Sequence, residues 1–378
     1  MSTAVGTRPA LTWAVHLAVL LLVVIWTIPT LGILISSFRD RDQLVVSGWW
    51  TALTSAERNI VARSAPPDEA AEENGQWVLR GNVFEEGTGS ISAFGISIQR
   101  PREFEPGVTA EMRDGGTVTV EENGDYIISY PEQPEGTRGQ RLFVTSLEPP
   151  KFTTANYERV LFSEGIGQSF VNTLTVTIPA TVIPILIAAY AAYALSWMQF
   201  PGRALLLATI VGLIVVPLQM ALIPLLRLYN DIGVGKSFIG IWLAHTGFGL
   251  PLAVYLLRNY IAGLPREIIE SARVDGASDF EIFRKIILPL SFPALASFAI
   301  FQFLWVWNDL LVATVFLGNN EEQLVMTGRL RELLGSRGGD WEILTASAFV
   351  AIVVPIIVFF ALQRYLVRGL LAGSVKGG

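Results

Sequence analysis

The chain has 378 residues, of which 51% are hydrophobic and only 16% charged, with a formal net charge of −6. Soluble domains carry about 25% charged residues, so this deficit and the mean hydropathy of +0.48 point to a protein that faces lipid. The lack of cysteine excludes disulfides, thiol nucleophiles and thiolate metal sites. The two histidines, His16 and His245, lie in apolar runs that offer no zinc site, and the negative charge without a compact basic patch argues against nucleic acid.

A helix needs about 20 apolar residues to cross the hydrocarbon core, where no water can satisfy backbone amides. Six stretches meet that demand: residues 12–35, 169–195, 204–226, 238–257, 289–317 and 343–362. The first is too long for a signal peptide, lacks a basic leader and has no small-residue cleavage site, so it is expected to be retained. The predicted fold class is an all-α membrane protein with six transmembrane helices and a β-rich extracytoplasmic insertion. The expected division is 1–37 for the N-terminal tail and first helix, 38–168 for the insertion, 169–363 for a core of five helices, and 364–378 for the tail. All 27 Lys and Arg residues fall outside the six stretches. Setting aside the twelve in the long loop, ten lie on the side of the termini and five on the other, so both termini are expected in the cytoplasm.

The loop after the first helix carries strand signals at residues 76–79, 95–98 and 117–120. Glu122, Asn123, Gly124 and Asp125 separate the last of these from residues 126–130, a hairpin pattern. Residues 64–75 are acidic and rich in Pro and Ala, as in a flexible lead-in. The insertion is expected either to fill space and solubilise or to dock a partner.

Between the fourth and fifth stretches, in the loop 258–288, a helix is predicted with Pro265 at its first position and Glu267 and Glu270 in its early turns. Asp275 and Gly276 break it, since glycine accepts a positive φ. Ser278 and Glu281 are spaced as a capping box for a second helix, whose predicted apolar face is Phe280, Phe283 and Ile287, with Leu288 and Pro289 ending the unit. Such a helix–turn–helix suits a rigid lever, and it equally suits a plain amphipathic connector.

The run Glu270, Ser271, Ala272, three residues, Gly276, nine residues, then Ile286, Ile287, Leu288 and Pro289 resembles the EAA loop of binding-cassette importer permeases, with Ser271 in place of the first alanine. Three further stretches resemble the maltose-type (MalG-like) sugar permeases: residues 170–174 around Asn172, the Trp305-Val306-Trp307-Asn308-Asp309 run, and the tail Gly373, Ser374, Val375, Lys376, Gly377. The length of the chain is closer to that of α-glucoside permeases. The resemblance implies a MetI-like permease core in a bacterial inner membrane, with no catalytic residue and no cofactor of its own. ATP and Mg would sit on a partner ATPase dimer, beside a second, MalF-like permease and an extracytoplasmic sugar-binding protein. It also implies ATPase-coupling roles for Glu270, Ser271, Ala272, Asp275, Gly276, Phe280, Phe283, Ile286, Leu288 and Pro289, and an ATPase contact for the tail.

Gly235-Lys236-Ser237 lacks the first glycine and the preceding strand of a phosphate-binding loop, so no ATPase activity is expected. Asn172, Gln219, Gln302, Trp305, Trp307, Asn308 and Asp309 could line a sugar path, or could join helices instead. A secondary transporter or channel is the alternative reading; it would call for inverted repeats and several intramembrane charges. An enzyme in the outer insertion would need a catalytic motif that is not evident there.

Overall fold

The computed structural model describes residues 9–84, 89–113 and 115–372, with side chains from Ala10 to Leu366. The chain divides into two compact units, Met1–Thr154 and Ala155–Gly378.

The first unit opens with α1 (Pro9–Ser37) and a short α2 (Arg41–Val46). Among the described residues eight strands follow: β1 (Ala56–Arg63), β2 (Ala71–Glu73), β3 (Gln76–Asn82), β4 (Ser90–Gly95), β5 (Thr109–Glu111), β6 (Thr117–Val120), β7 (Asp125–Tyr130) and β8 (Arg141–Glu148). They form two antiparallel sheets, ordered β1-β8-β4 and β2-β3-β7-β6-β5. Period-two alternation sends Val118, Val120, Tyr126, Ile128 and Tyr130 inward from one sheet and Ile91, Phe94, Leu142 and Val144 from the other, into one apolar cluster. The predicted hairpin is present, with Val118 opposite Ile128 and Gly124 at φ +87° in the turn.

Two expectations for this region change. The strand at residues 95–98 ends at Gly95, because a Cβ there would stand 2.2 Å from the Arg100 carbonyl and the chain turns back through a Ser97–Arg100 bridge. Residues 64–75 are not a loose lead-in throughout, since Ala71–Glu73 pairs as an edge strand with β3.

The second unit contains α3 (Ala155–Phe162), α4 (Ile166–Trp197), α5 (Arg203–Ile214), α6 (Leu218–Asp231), α7 (Phe238–Ile261), α8 (Arg266–Val274), α9 (Asp279–Ile282), α10 (Leu288–Leu290), α11 (Phe292–Trp307), α12 (Leu311–Phe316), α13 (Met326–Ser336) and α14 (Trp341–Ala372). The insertion therefore ends earlier than residue 168: Val160 and Ile166 are fully buried against Met326, Leu333 and Ile343 of the helical unit. Among the described residues four helices are long and apolar enough to cross a bilayer, namely Ala10–Ser37, Ile166–Trp197, Phe238–Ile261 and Trp341–Leu366. The stretches at 204–226 and 289–317 are not single straight helices. The first is bent by 107° between α5 and α6, and the second belongs to a pair bent by 71° between residues 290 and 292. The first break falls at Pro217, which lacks an amide donor and disfavours helix in the residue before it.

Phe94 is fully buried between the two sheets while Ile98 is exposed, so they offer a direct comparison. Phe94→Ala should destabilise the β unit by about 3–5 kcal/mol and speed proteolysis of the full chain between strands. Ile98→Ala should leave the cleavage rate unchanged. Equal rates for the two variants would mean that this cluster does not hold the insertion together.

Candidate functional site

The helix pair between α7 and α11 is fixed by local chemistry at each end. Pro265 takes the cap position of α8, one residue earlier than the predicted first turn. At the other end, the Ala277 amide donates to the Ala272 carbonyl and the Gly276 amide to the Arg273 carbonyl, both at 3.0 Å, which closes a Schellman turn. Gly276 sits at φ +83° in open space, so the backbone demands glycine there and packing does not.

The capping box forms as expected. The Ser278 hydroxyl accepts from the Glu281 amide at 3.3 Å, and the Ser278 amide donates to the Glu281 carboxylate at 3.1 Å. That backbone bond, helped by Lys285 at 3.2 Å, holds the Glu281 carboxyl below the usual carboxylate range.

The inward face differs from the predicted one. Residues 283–287 make a π turn, in which the Leu288 amide donates to the Phe283 carbonyl five residues back. The wider turn delays the rotation of the chain, so Ile287 lines up with Ile282 and Phe283 rather than with Phe280. Ile282 and Ile287 are buried, and Phe283 lies edge-on to Tyr190 at 5.0 Å, while Phe280 is 58% exposed.

Ile269, Ile282 and Ile287 join the apolar cluster formed by Ala188, Ala192 and Tyr193 of α4 with Leu257 and Ile261 of α7. Polar bonds lock the same joint. The Tyr193 hydroxyl donates to Asp279 at 2.9 Å, and Arg273 donates to Asp279 at 3.3 Å and to the Trp197 carbonyl at 3.1 Å. Trp197 in turn donates to the Ile261 carbonyl, and Tyr260 to the Leu290 carbonyl. Sequence reasoning missed Tyr193, Arg273 and Asp279. The last two flank Gly276 symmetrically, which is a weak local signal, whereas nothing near Tyr193 marks it.

The opposite face is open. Val274 is 87% exposed, and Phe280 and Ile268 are exposed beside Arg266, Glu267, Glu270, Ser271, Asp275, Arg284 and Lys285. Ala272, Ile286 and Leu288 are half-buried at the base, and Pro289 is exposed where the fifth stretch begins. The tail residues Gly373, Ser374, Val375, Lys376 and Gly377 lie outside the described residues.

The seven polar and aromatic positions weighed for a sugar path do not converge. Asn172 donates to the Glu322 and Leu324 carbonyls, Gln302 to the Ala180 carbonyl, and Trp307 to the Ala351 carbonyl, so the first ties α4 to the loop before α13 and the other two join helices. Asp309 accepts from the Val312 and Ala313 amides at the start of α12, and one of its oxygens lies 3.8 Å from buried His245. Asn308 donates back to the Leu304 carbonyl, Gln219 is exposed, and Trp305 meets His245 edge-on at 5.1 Å. At Gly235-Lys236-Ser237, the Ser237 hydroxyl accepts from the Gly240 amide and caps α7.

Residues 168–371 match the family described as binding-protein-dependent transport system inner membrane component. The chain belongs to this family. As an inner membrane component of such a system, it carries the helix pair inside the matched range. The insertion lies outside that range but is shared with full-length relatives. The alpha-glucoside transport system permease protein AglG of Rhizobium meliloti (strain 1021) is 68% identical over 376 residues, covering 98% of this chain and 99% of that protein. The osmoprotective compounds uptake permease protein GgtD of Synechocystis is 43% identical over 362 residues, covering 96% and 91%. The trehalose transport system permease protein SugB of Mycobacterium tuberculosis is 32% identical over 235 residues, covering 61% and 85%.

The joint makes a quantitative prediction. In a double-mutant cycle of Tyr193→Phe and Asp279→Ala, the two losses of thermal stability should be non-additive by about 1 kcal/mol, the value of a half-exposed bond to a charged group. Strict additivity would mean that the 2.9 Å contact contributes nothing to holding the helix pair on α4.

Proposed function

We propose that this chain is one of two permeases in an importer driven by ATP hydrolysis on a separate ATPase dimer. The helix pair from Arg266 to Pro289 is the mechanical link. The observation that carries this reading is the two-sided construction of the pair. One face is bolted to α4 and α7 by buried isoleucines and the Tyr193–Asp279–Arg273 bonds, and the other presents Val274 and Phe280 among charges. An exposed apolar tip ringed by charge suits insertion into a groove of another protein. The rigid mounting means that movement of the groove moves the ends of the helices.

In this reading the six spans are the four straight helices, the bent α5–α6 pair and the segment from α11 onward, and both termini and the helix pair lie in the cytoplasm. ATP and Mg bind only to the partner ATPases, whose closure drives the bundle from an inward-facing to an outward-facing state. The ligand-loaded binding protein favours the outward-facing state, so transport is alternating access powered by differential affinity. The tail from Gly373 to Gly377 adds a second ATPase contact. The cargo is a sugar, an α-glucoside such as maltose or trehalose, by likeness to the α-glucoside and trehalose permeases. Because Asn172, Gln302 and Trp307 are occupied by backbone carbonyls, the second permease supplies most of the contacts to that sugar.

Two outcomes test the proposal. Gly276→Val forces a β-branched residue to φ +83° at a cost of about 1–2 kcal/mol. It should abolish α-glucoside uptake and reduce recovery of the ATPase with a tagged chain, at unchanged abundance in the membrane; normal uptake with an intact assembly would remove the lever from the mechanism. In proteoliposomes holding the whole assembly, ATP hydrolysis should rise when binding protein and an α-glucoside are added together, and not with either alone. Stimulation by a chemically unrelated solute instead would overturn the sugar assignment.

A further inference from the structure

The first unit carries a collar of apolar side chains at the C-terminal end of α1. Leu34 and Ile35 of α1 and Phe38 just beyond it, with Trp49, Trp50, Ala52, Leu53 and Phe152, line a groove of about 520 Å³ that contains no charged residue. Leu53 is 84% exposed, Trp50 74% and Phe152 50%. In a water-facing domain, three large apolar side chains left this open would be a liability.

The collar is built deliberately. The Arg39 guanidinium is buried and donates to the carbonyls of Gln43, Ser47 and Gly48 and to the Ser47 hydroxyl, which fixes the turn that carries the two tryptophans. Gln43 donates to the Pro149 carbonyl and accepts from the Lys151 amide, bringing the segment that holds Phe152 alongside. Gly32 of α1 makes room for the Trp49 ring: a Cβ there would stand 2.8 Å from the indole nitrogen.

The depth of the collar follows from the length of α1. The 28 residues of this span rise about 42 Å, against about 30 Å of hydrocarbon. Arg8 before it and Arg39 and Asp40 after it bracket the span. The last turn, which bears Leu34 and Ile35, and Phe38 just after it therefore reach the boundary between acyl chains and headgroups. Tryptophan concentrates at that level, where an apolar ring and a polar N–H are both accommodated.

We infer that the collar is a membrane-interface anchor: its groove is filled by phospholipid acyl chains of the leaflet in which α1 ends, and Trp50, Leu53 and Phe152 dip into that leaflet. The collar is continuous with the lipid-facing surface of α1 and devoid of charge, and this favours lipid over a protein occupant. The anchor gives the β-rich insertion a second attachment to the membrane besides the span itself.

The chain has no cysteine, so single cysteines report without background. Leu53→Cys, Phe152→Cys and, as an exposed acidic control on an edge strand, Glu72→Cys are each spin-labelled in the full chain within phospholipid liposomes. Relaxation is then compared with oxygen, which partitions into lipid, and with a water-soluble nickel chelate. At positions 53 and 152 oxygen should dominate, and at 72 the order should reverse. Leu53 is so exposed that its replacement removes little packing, and position 152 provides an independent reading. Chelate-dominated relaxation at both collar sites would overturn the anchor. So would labels sheltered from both reagents, which would mean that protein covers the groove.

Discussion

Everything the proposed lever does depends on the joint between the helix pair and the ends of α4 and α7. A helix of nine residues followed by one of four cannot hold its own shape in water. Their order comes from burying Ile269, Ile282 and Ile287 in the cluster around Tyr193 and Leu257. Each buried isoleucine contributes about 1.5–3 kcal/mol by removing apolar area from water, which outweighs the hydrogen bonds at the rim. The bonds from Tyr193 and Arg273 to Asp279 add direction: apolar contact alone would let the pair slide along α4, and the shared carboxylate sets its register.

The same division of labour runs through the rest of the helical unit. Side chains able to recognise a solute are bound to distant backbone carbonyls, as with Asn172 to residues 322 and 324 in the loop before α13, Gln302 to Ala180 of α4 and Trp307 to Ala351 of α14. In an apolar setting a helix carbonyl has a spare lone pair and no competing water, so such a bond joins helices that dispersion alone would leave free to shift. Asp309 does comparable work within one segment, where its carboxylate receives the first amides of α12 and allows that helix to begin directly after α11.

What the sequence disclosed was whatever depends on near neighbours. The Glu270-to-Pro289 spacing, the Ser278–Glu281 box and the glycine at a positive φ are all decided within a few residues, and they could be read in advance. So could the hairpin around Gly124, whose turn and alternation are local. The π turn at residues 283–287 was illegible because burial against α4, far away in sequence, selects the wider turn. The break at Pro217 had its cause in plain view, a proline inside an apolar run, while hydropathy, which measures length, gave no angle for it. The roles of Asn172 and Trp307 were open for a similar reason: their acceptors lie 150 and 44 residues away. The edge strand at residues 71–73 was masked by its acidic composition, which an exposed edge tolerates and a central strand would not.

Exposed apolar side chains in the two units of this protein have opposite meanings, and their neighbours decide between them. Val274 and Phe280 stand among Arg266, Glu267, Glu270, Arg284 and Lys285, charges that would cost several kcal/mol to bring into hydrocarbon. That setting excludes lipid and fits a wet protein groove. Trp50, Leu53 and Phe152 border a charge-free groove continuous with an apolar helix, and the nearest guanidinium, that of Arg39, is turned inward onto backbone carbonyls. Turning that cation away from the groove keeps its charge from facing acyl chains. The buried arginine is thus the feature that turns an open cluster of aromatics into a surface suited to the bilayer.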